Sequence, residues 1–272
     1  MTQPTARTER DAAGAYELLA SATTEPTVLA VLTDEELLAL SGAQAGELTG
    51  TPFLDASGFD QEVSAAVALR SLIARGLVEL EDEGRESEGE DLATGGAARR
   101  AAQLDRVLAG LLTLRSSPLA LVNLTRRVAD QTTSIVVYLY PRGGVLEELI
   151  TVDGFHHFSL PTREAVPERL ARYVDQAGVA AEEDGESVAA TIEQLDSEDS
   201  EIGRRLRDTR ALTVVTSAGG AGTAQLSIMA TADTVFAMDT PQQDDATAEV
   251  REISAASLRA LLAGVLPDPS GL

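Results

Sequence analysis

The feature that most constrains the fold is a weak internal repeat in the second part of the chain. SIVVYLY at residues 134–140 is typical of a strand, and after a PRGG turn residues 145–152 return as another strand. A helix follows from about Pro161. Some ninety residues later the order recurs, with strands at 212–216, 225–230 and 234–238 and a helix capped by Ser254. Antiparallel strands closed by a helix, twice over, predict an α+β fold whose two strand–helix units have pseudo-twofold symmetry.

The two predicted helices share their register. Moving the first helix by 92 residues superposes one cap and two core positions: Thr162 on Ser254, Val166 on Leu258 and Leu170 on Leu262. The match supports the repeat but is short.

Composition shifts suggest boundaries within a single domain of residues 1–272. We expect five segments: a flexible tail over 1–26, an amino-terminal helical part over 27–117, a first strand–helix unit over 118–175, an acidic helical connection over 176–210, and a second strand–helix unit over 211–267.

The amino-terminal part carries clear start and stop signals. After a short strand at residues 28–32, Thr33 and Glu36 have the spacing of a capping box. A helix over about 61–75 stops at Gly76, and a strand at 77–80 follows. Further on, we expect a helix over about 97–115.

The phrase ALRSLIARGLVEL at residues 68–80 is common in winged-helix DNA-binding domains, where a helix leads into the wing. Residues 81–91, the would-be wing, hold seven acidic residues and one Arg, and we expect a mobile loop there. The predicted recognition helix offers only Arg70 and Arg75 as cations. A winged-helix regulator is therefore the alternative interpretation, and we expect the helix to support the fold rather than to bind DNA.

The charge balance opposes nucleic acid as a partner. The net charge is −23, whereas a duplex binder needs clustered cations to displace counterions from phosphate. All 21 basic residues are Arg, which indicates a GC-rich genome such as an actinobacterial one. No apolar run is long enough to span a membrane and no signal peptide is recognisable, so we expect a soluble cytoplasmic protein.

No motif in the chain predicts catalysis. The absence of Cys excludes thiolate metal sites and cysteine nucleophiles. His156 and His157 are neighbours in a predicted strand, so they point to opposite faces and cannot share one metal. SAGGAGTAQ at residues 217–225 lacks the Lys and the following helix of a phosphate-binding loop and is better read as a hairpin turn. We expect no enzyme, no cofactor and no metal.

The predicted binding surface lies on the strands of the second unit. TVFAM at residues 234–238 alternates, placing Thr234, Phe236 and Met238 on one face. If helices cover the other face, this one is an exposed apolar patch suited to a protein partner. Leu226 and Ile228 on the preceding strand join the predicted set. The alternative, a sheet buried on both faces, stays open.

Several stretches taken in order resemble the EspG family, the cytosolic chaperones of actinobacterial type VII (ESX) secretion. The amino-terminal stretches are VLTDEELLAL, FDQEVSAAVALRSLIARGLVEL and LAGLLTLRSSPLALVNL; the carboxyl-terminal ones are TAQLSIMATADTVFAMDT and EISAASLRALLAGVLP. The resemblance covers about residues 27–267. It rests on patterns of apolar and small residues, without an invariant catalytic set, and the acidic inserts at 81–91 and 182–201 depart from the family.

The resemblance implies a non-catalytic chaperone of pseudo-twofold α+β fold. Its partner would be a secreted helical heterodimer of PE/PPE type, or a related small helical protein, held soluble until export. Neither nucleic acid nor membrane is expected as a partner, and the chain is expected to be a monomer or weak homodimer. Acidic loops would steer basic cargo.

Overall fold

The computed structural model of the chain describes residues 9–46, 49–80, 102–219, 222–239 and 247–267. The helices are α1 (Glu9–Ala20), α2 (Asp34–Ser41), α3 (Pro52–Ser57), α4 (Gln61–Ala74), α5 (Arg106–Arg115), α6 (Val166–Val174), α7 (Ile192–Asp196), α8 (Glu201–Arg207) and α9 (Ala255–Gly264). Three short 3-10 helices lie at Gly42–Gly46, Pro141–Gly143 and Arg163–Ala165.

The strands are β1 (Ala30–Thr33), β2 (Val78–Leu80), β3 (Ala102–Leu104), β4 (Ala120–Val128), β5 (Gln131–Leu139), β6 (Val145–Ile150), β7 (Phe155–Ser159), β8 (Ser187–Ala190), β9 (Ala211–Gly219), β10 (Gly222–Ala230), β11 (Val235–Asp239) and β12 (Ala248–Glu252). The protein is thus an α+β fold with a large antiparallel sheet, as the strand pattern predicted.

The described residues divide into two compact units. The first unit comprises Met1–Leu18 and Thr33–Thr113, and the second unit comprises Leu19–Leu32 and Leu114–Leu272. The single domain over 1–272 stays a prediction.

The first unit is mainly helical, and its caps are those that the sequence predicted. The Glu36 amide donates to the Thr33 hydroxyl at 3.2 Å, and the Thr33 amide donates to the Glu36 carboxylate at 3.3 Å, which completes a capping box on α2. Gly76 ends α4 with a φ of 70°, a value that glycine adopts without strain. β2 then pairs with β3 as a two-stranded antiparallel sheet.

Two predictions for the first unit are wrong. Residues 9–20 of the expected flexible tail form α1, whose Gly14, Ala15 and Leu18 are buried. The helix expected over 97–115 begins only at Arg106, because residues 102–104 form β3. Residues 81–91, expected as a mobile loop, and residues 97–101 lie outside the described residues.

The second unit contains a ten-stranded sheet of order β1-β7-β6-β5-β4-β9-β10-β11-β12-β8. From the central pair β4–β9, each half therefore continues outward through three strands in chain order, β5 to β7 on one side and β10 to β12 on the other. The predicted strands at 134–140, 145–152, 212–216, 225–230 and 234–238 are confirmed as parts of β5, β6, β9, β10 and β11.

One face of this sheet, called here the first face, packs against α6 and α9. The apolar positions predicted for the helices form its core; Val166, Leu170, Leu258 and Leu262 are all buried. Ser254 caps α9 as predicted, since its hydroxyl accepts a hydrogen bond from the Ser257 amide at 3.2 Å.

The opposite, second face is covered near its β8 end by α7 and α8. Phe236, Met229 and Val250 are buried there together with Ile202 of α8. The acidic connection was expected to hold one or two helices; it also contributes β8, an edge strand paired with β12. Asp184 of this connection accepts hydrogen bonds from the Ser254 amide and the Ser257 hydroxyl.

Candidate functional site

The five predicted partner-binding residues do not form one surface. Leu226 and Ile228 lie on the first face, buried in the core beneath α6 and α9. Their placement in a binding surface is wrong because the first face of β10 carries its even-numbered apolar residues, and their partners Val215 and Thr213 on β9 are buried with them.

Phe236 lies on the second face as predicted, but that face is covered at this position. Its ring is 1% exposed and packs in the cluster with Ile202. The Arg205 guanidinium carbon lies 4.8 Å from the ring centroid. The prediction that Phe236 is exposed is therefore wrong, and a charge placed at this position would disrupt the fold rather than test partner binding.

Thr234 is buried in the turn before β11. Its hydroxyl donates to Glu252 at 2.7 Å, and that carboxylate also accepts from Arg205 at 2.5 Å. These two hydrogen bonds, with that of Thr234 the stronger influence, lower the pKa of Glu252. Thr234 therefore holds an ion pair in place, and its side chain is not available to a partner.

Met238 alone of the five lies in an open depression, called here the α7–α8 groove. It is half-buried, and it lines a cavity of about 570 Å³ between the helices and strands β9 to β11. The lining residues are mostly apolar: Ile192, Leu195, Leu206, Leu212, Met229 and Met238, with Asp196, Gly203, Arg207 and Thr209 completing the set.

The apolar lining is accessible from solvent. Ile192 at the start of α7 is 42% exposed, and Leu212 on β9 is 36% exposed. Both methionines present unbranched thioether side chains, which adapt to irregular apolar partners. An open apolar depression of several hundred cubic ångströms is the kind of surface that receives side chains of another protein.

Charges of both signs lie at the α7–α8 groove, since Asp196 and Arg207 both line it. Arg207 lines it, Arg210 precedes β9, and Arg127 on β4 lies opposite Leu212 in the β4–β9 pairing. All three are exposed. Arg207 is paired with Glu198 and Arg210 with Asp208, so these two charges are matched within the chain.

The sequence predicts that the connection is helical but indicates no binding residue there, because its many acidic side chains are typical of a solvated surface. A local signal was present: Thr191 and Gln194 have capping-box spacing, and the structure shows both hydrogen bonds of the box. Close packing of the two helices also needs glycine at position 203, where an added Cβ would lie 2.1 Å from the Ser197 carbonyl oxygen.

A second cluster of polar side chains lies in the same unit, but it is closed to solvent. The Glu148 carboxylate accepts hydrogen bonds from Arg115 Nε at 3.0 and 3.2 Å and from the Tyr138 hydroxyl, and His156 Nδ1 lies 2.6 Å from it. All four residues are buried. With no access for a substrate, this arrangement serves to satisfy buried charge within the sheet.

The two histidines point to opposite faces of β7, as predicted. His156 is buried against Glu148, whereas His157 is half-buried. Within the described part of the chain, no cluster of three metal-ligating residues is found. Among the same residues, no helix is both long and apolar enough to cross a bilayer.

Comparison with known proteins adds no relative to these observations. No protein-family model matches the chain, and no significant match is found among curated proteins.

Proposed function

We propose that this protein is a non-catalytic cytosolic chaperone or adaptor of the EspG kind, serving type VII secretion. It binds a secreted helical protein, a PE/PPE-like heterodimer or a related small helical protein, and covers its apolar tip until export. The observation that carries the proposal is the α7–α8 groove, which presents six apolar side chains on an otherwise highly charged chain.

The register of the large sheet supports the pseudo-twofold arrangement that the EspG resemblance implies. Leu124 pairs with Ile135 in the β4–β5 hairpin; adding 91 to both numbers gives Val215 and Leu226, which pair in the β9–β10 hairpin. Leu124 and Val215 are themselves partners at the centre of the sheet. These pairings are those expected if a local pseudo-twofold axis lies between β4 and β9.

The groove breaks this symmetry in a way that suits a binding role. Only the second half carries α7 and α8, which come from the connection between the two repeats. The helices cover Phe236 but leave Leu212 and Met238 accessible beside them. A helical cargo that inserts apolar side chains between α7, α8 and the sheet would cover the apolar lining.

The proposal is tested by co-expressing the tagged chain with small helical secreted proteins encoded beside its gene, followed by affinity purification and native mass spectrometry. We expect one defined cargo complex. Ile192→Asp and Leu212→Asp should each weaken it at least tenfold, because a carboxylate would replace an apolar side chain in the buried interface.

Val188→Asp is the matched control. Val188 is 43% exposed on β8, in the same unit, but does not line the α7–α8 groove. Its cargo affinity should stay unchanged, with circular dichroism confirming that all three variants fold. Capture that survives both groove substitutions would contradict the binding site, and failure of every neighbouring secreted protein to bind would contradict the chaperone function.

A DNA-binding regulator remains the second candidate because α4 is followed by the β2–β3 sheet, the order of a winged helix. Against it, Arg75 is paired with Glu36 at 2.5 Å, and the exposed side of α4 carries Val63 and Val67. We therefore expect no binding to mixed-sequence duplex DNA at low salt, measured by fluorescence anisotropy.

A further inference from the structure

The first unit carries an apolar surface that the proposed function does not use. Along α4, one side of the helix presents residues at a spacing of three and four: Val63, Ala66, Val67, Arg70 and Ala74, with Phe59 just before the helix. These six residues are called here the α4 stripe. Val63 and Val67 are each 61% exposed and Phe59 is 59% exposed.

The stripe is not the side on which α4 packs in its own unit. The opposite side carries Ala68 and Leu72, both buried. Beside the stripe, a cavity of about 400 Å³ is lined by Phe59, Val63 and Val67 together with polar groups of α2 that include Glu35. Leaving three large apolar side chains this exposed on one surface is unfavourable unless another surface covers them.

We infer that the α4 stripe is a homodimer interface, in which α4 packs antiparallel against α4 of a second copy. A C2 interface must be self-complementary, because the same patch faces itself. The stripe satisfies this condition: Asp60 and Glu62 flank its amino-terminal end, its carboxyl-terminal half carries Arg70, and an antiparallel pair brings these ends together.

The small side chains and the charges of α4 both favour a second copy of the chain as the partner of the stripe. Ala66 and Ala74 are small, so the two helix axes can approach to about 8–10 Å. Each Glu62 then lies near Arg70 of the second copy, and the pair occurs twice. Among the described residues neither Glu62 nor Arg70 forms an ion pair within its own chain, so both charges remain available to a second copy.

The interface is small, since one four-turn helix supplies most of it. We expect it to lie near the low end of specific interfaces, about 1,200 Å² in total. This inference does not rest on the proposed function, because α4 and the α7–α8 groove belong to different units.

Sedimentation velocity of the full chain over a concentration series tests the inference. The wild type should show a monomer–dimer equilibrium. Val67→Asp should raise the dimer dissociation constant at least tenfold, because it buries two carboxylates at the helix crossing. Val107→Asp, at a position 39% exposed on α5 and away from the stripe, should leave it unchanged.

A charge exchange tests the antiparallel geometry. Glu62→Arg and Arg70→Glu should each weaken dimerisation about tenfold, because each puts like charges together at two symmetric positions. The double variant E62R/R70E restores opposite charges and should return to within about threefold of the wild type. Far-UV circular dichroism confirms that α4 stays helical.

The other outcomes each overturn the inference. A chain that stays monomeric at every soluble concentration excludes the dimer, and a dimer unaffected by Val67→Asp uses another surface. Loss in both single charge variants without restoration in the double variant excludes the antiparallel pairing. If the wild type is monomeric and Val67→Asp instead abolishes cargo capture, the stripe binds cargo.

Discussion

At the scale of single residues, the buried charge of Glu148 is held by groups that come from different parts of the chain. Burial raises the pKa of this carboxyl, but the hydrogen bond with His156 and the Arg115 charge lower it, and the net pKa lies below its usual value. The carboxylate is therefore ionised in the folded protein, and Arg115 depends on it as a counter-ion.

Glu148→Gln should lower the free energy of unfolding by about 3–5 kcal/mol at neutral pH, because it removes a buried carboxylate that is ion-paired with Arg115 and hydrogen-bonded by Tyr138. Urea denaturation followed by circular dichroism measures the change. Glu79→Gln, an exposed acid on β2, is the control and should change stability by less than about 0.5 kcal/mol. Equal stability of wild type and Glu148→Gln would contradict this account.

The effect of Glu148→Gln on the free energy of unfolding also depends on pH. The folded-state pKa of Glu148 is depressed, so its stabilisation is fully present above the unfolded pKa of about 4.3. It is lost as the pH falls from there through the folded pKa, because the unfolded chain binds the proton more readily. The stability difference between wild type and Glu148→Gln should therefore shrink below about pH 4.3.

At the scale of elements, α1 and α5 show how a segment that looks like a tail becomes part of a core. Gly14 and Gly110 meet where the helices cross: a Cβ added at Gly110 would lie 2.7 Å from the Gly14 carbonyl carbon and 2.9 Å from the Ala15 amide nitrogen. The backbones are in direct contact, so any side chain at this crossing must push the helices apart.

Gly110→Ala should destabilise the protein by about 1–3 kcal/mol, although alanine is the better helix former. Hydrogen exchange of the α1 amides should also become faster. Gly264→Ala is the control, since a Cβ at the end of α9 meets nothing within 4 Å. Unchanged thermal unfolding and unchanged exchange in Gly110→Ala would show that the crossing is looser than described.

At the scale of the whole molecule, 44 acidic and 21 basic residues leave a net charge of −23. The excess acidic side chains repel one another when the chain is compact. The acidic connection over residues 176–210 contains several exposed acids, among them Glu182, Glu183 and Glu186. Salt reduces such repulsion, because the Debye length falls from about 30 Å at 0.01 M to about 3 Å at 1 M.

Raising sodium chloride over that range should therefore raise the melting temperature, by about 2–4 °C for each kcal/mol of repulsion relieved. Differential scanning calorimetry measures it. A variant with Gln at positions 182, 183 and 186 should depend less on salt. A melting temperature that falls or stays constant with salt would mean that attractive surface pairs dominate.

The predicted α+β class, most strands, the Thr33 and Ser254 caps and the stop at Gly76 are confirmed, because each depends on neighbours within a few residues. Local sequence patterns also predicted that Val166, Leu170, Leu258 and Leu262 lie in the core, and all four are buried. Local patterns did not predict α1, which is stabilised where its Gly14 contacts α5. They also did not predict β3 and β8, each of which forms by pairing with a strand distant in the sequence.

The candidate site shows most clearly what sequence patterns cannot predict. Alternation in the sequence determined that Phe236 and Met238 share one face of β11, but it could not determine what covers that face. Tertiary structure decided this, since α8 buries Phe236 while Met238 opens into the α7–α8 groove. The physical reason is that periodicity follows from backbone geometry, whereas burial depends on contacts between segments far apart in the chain.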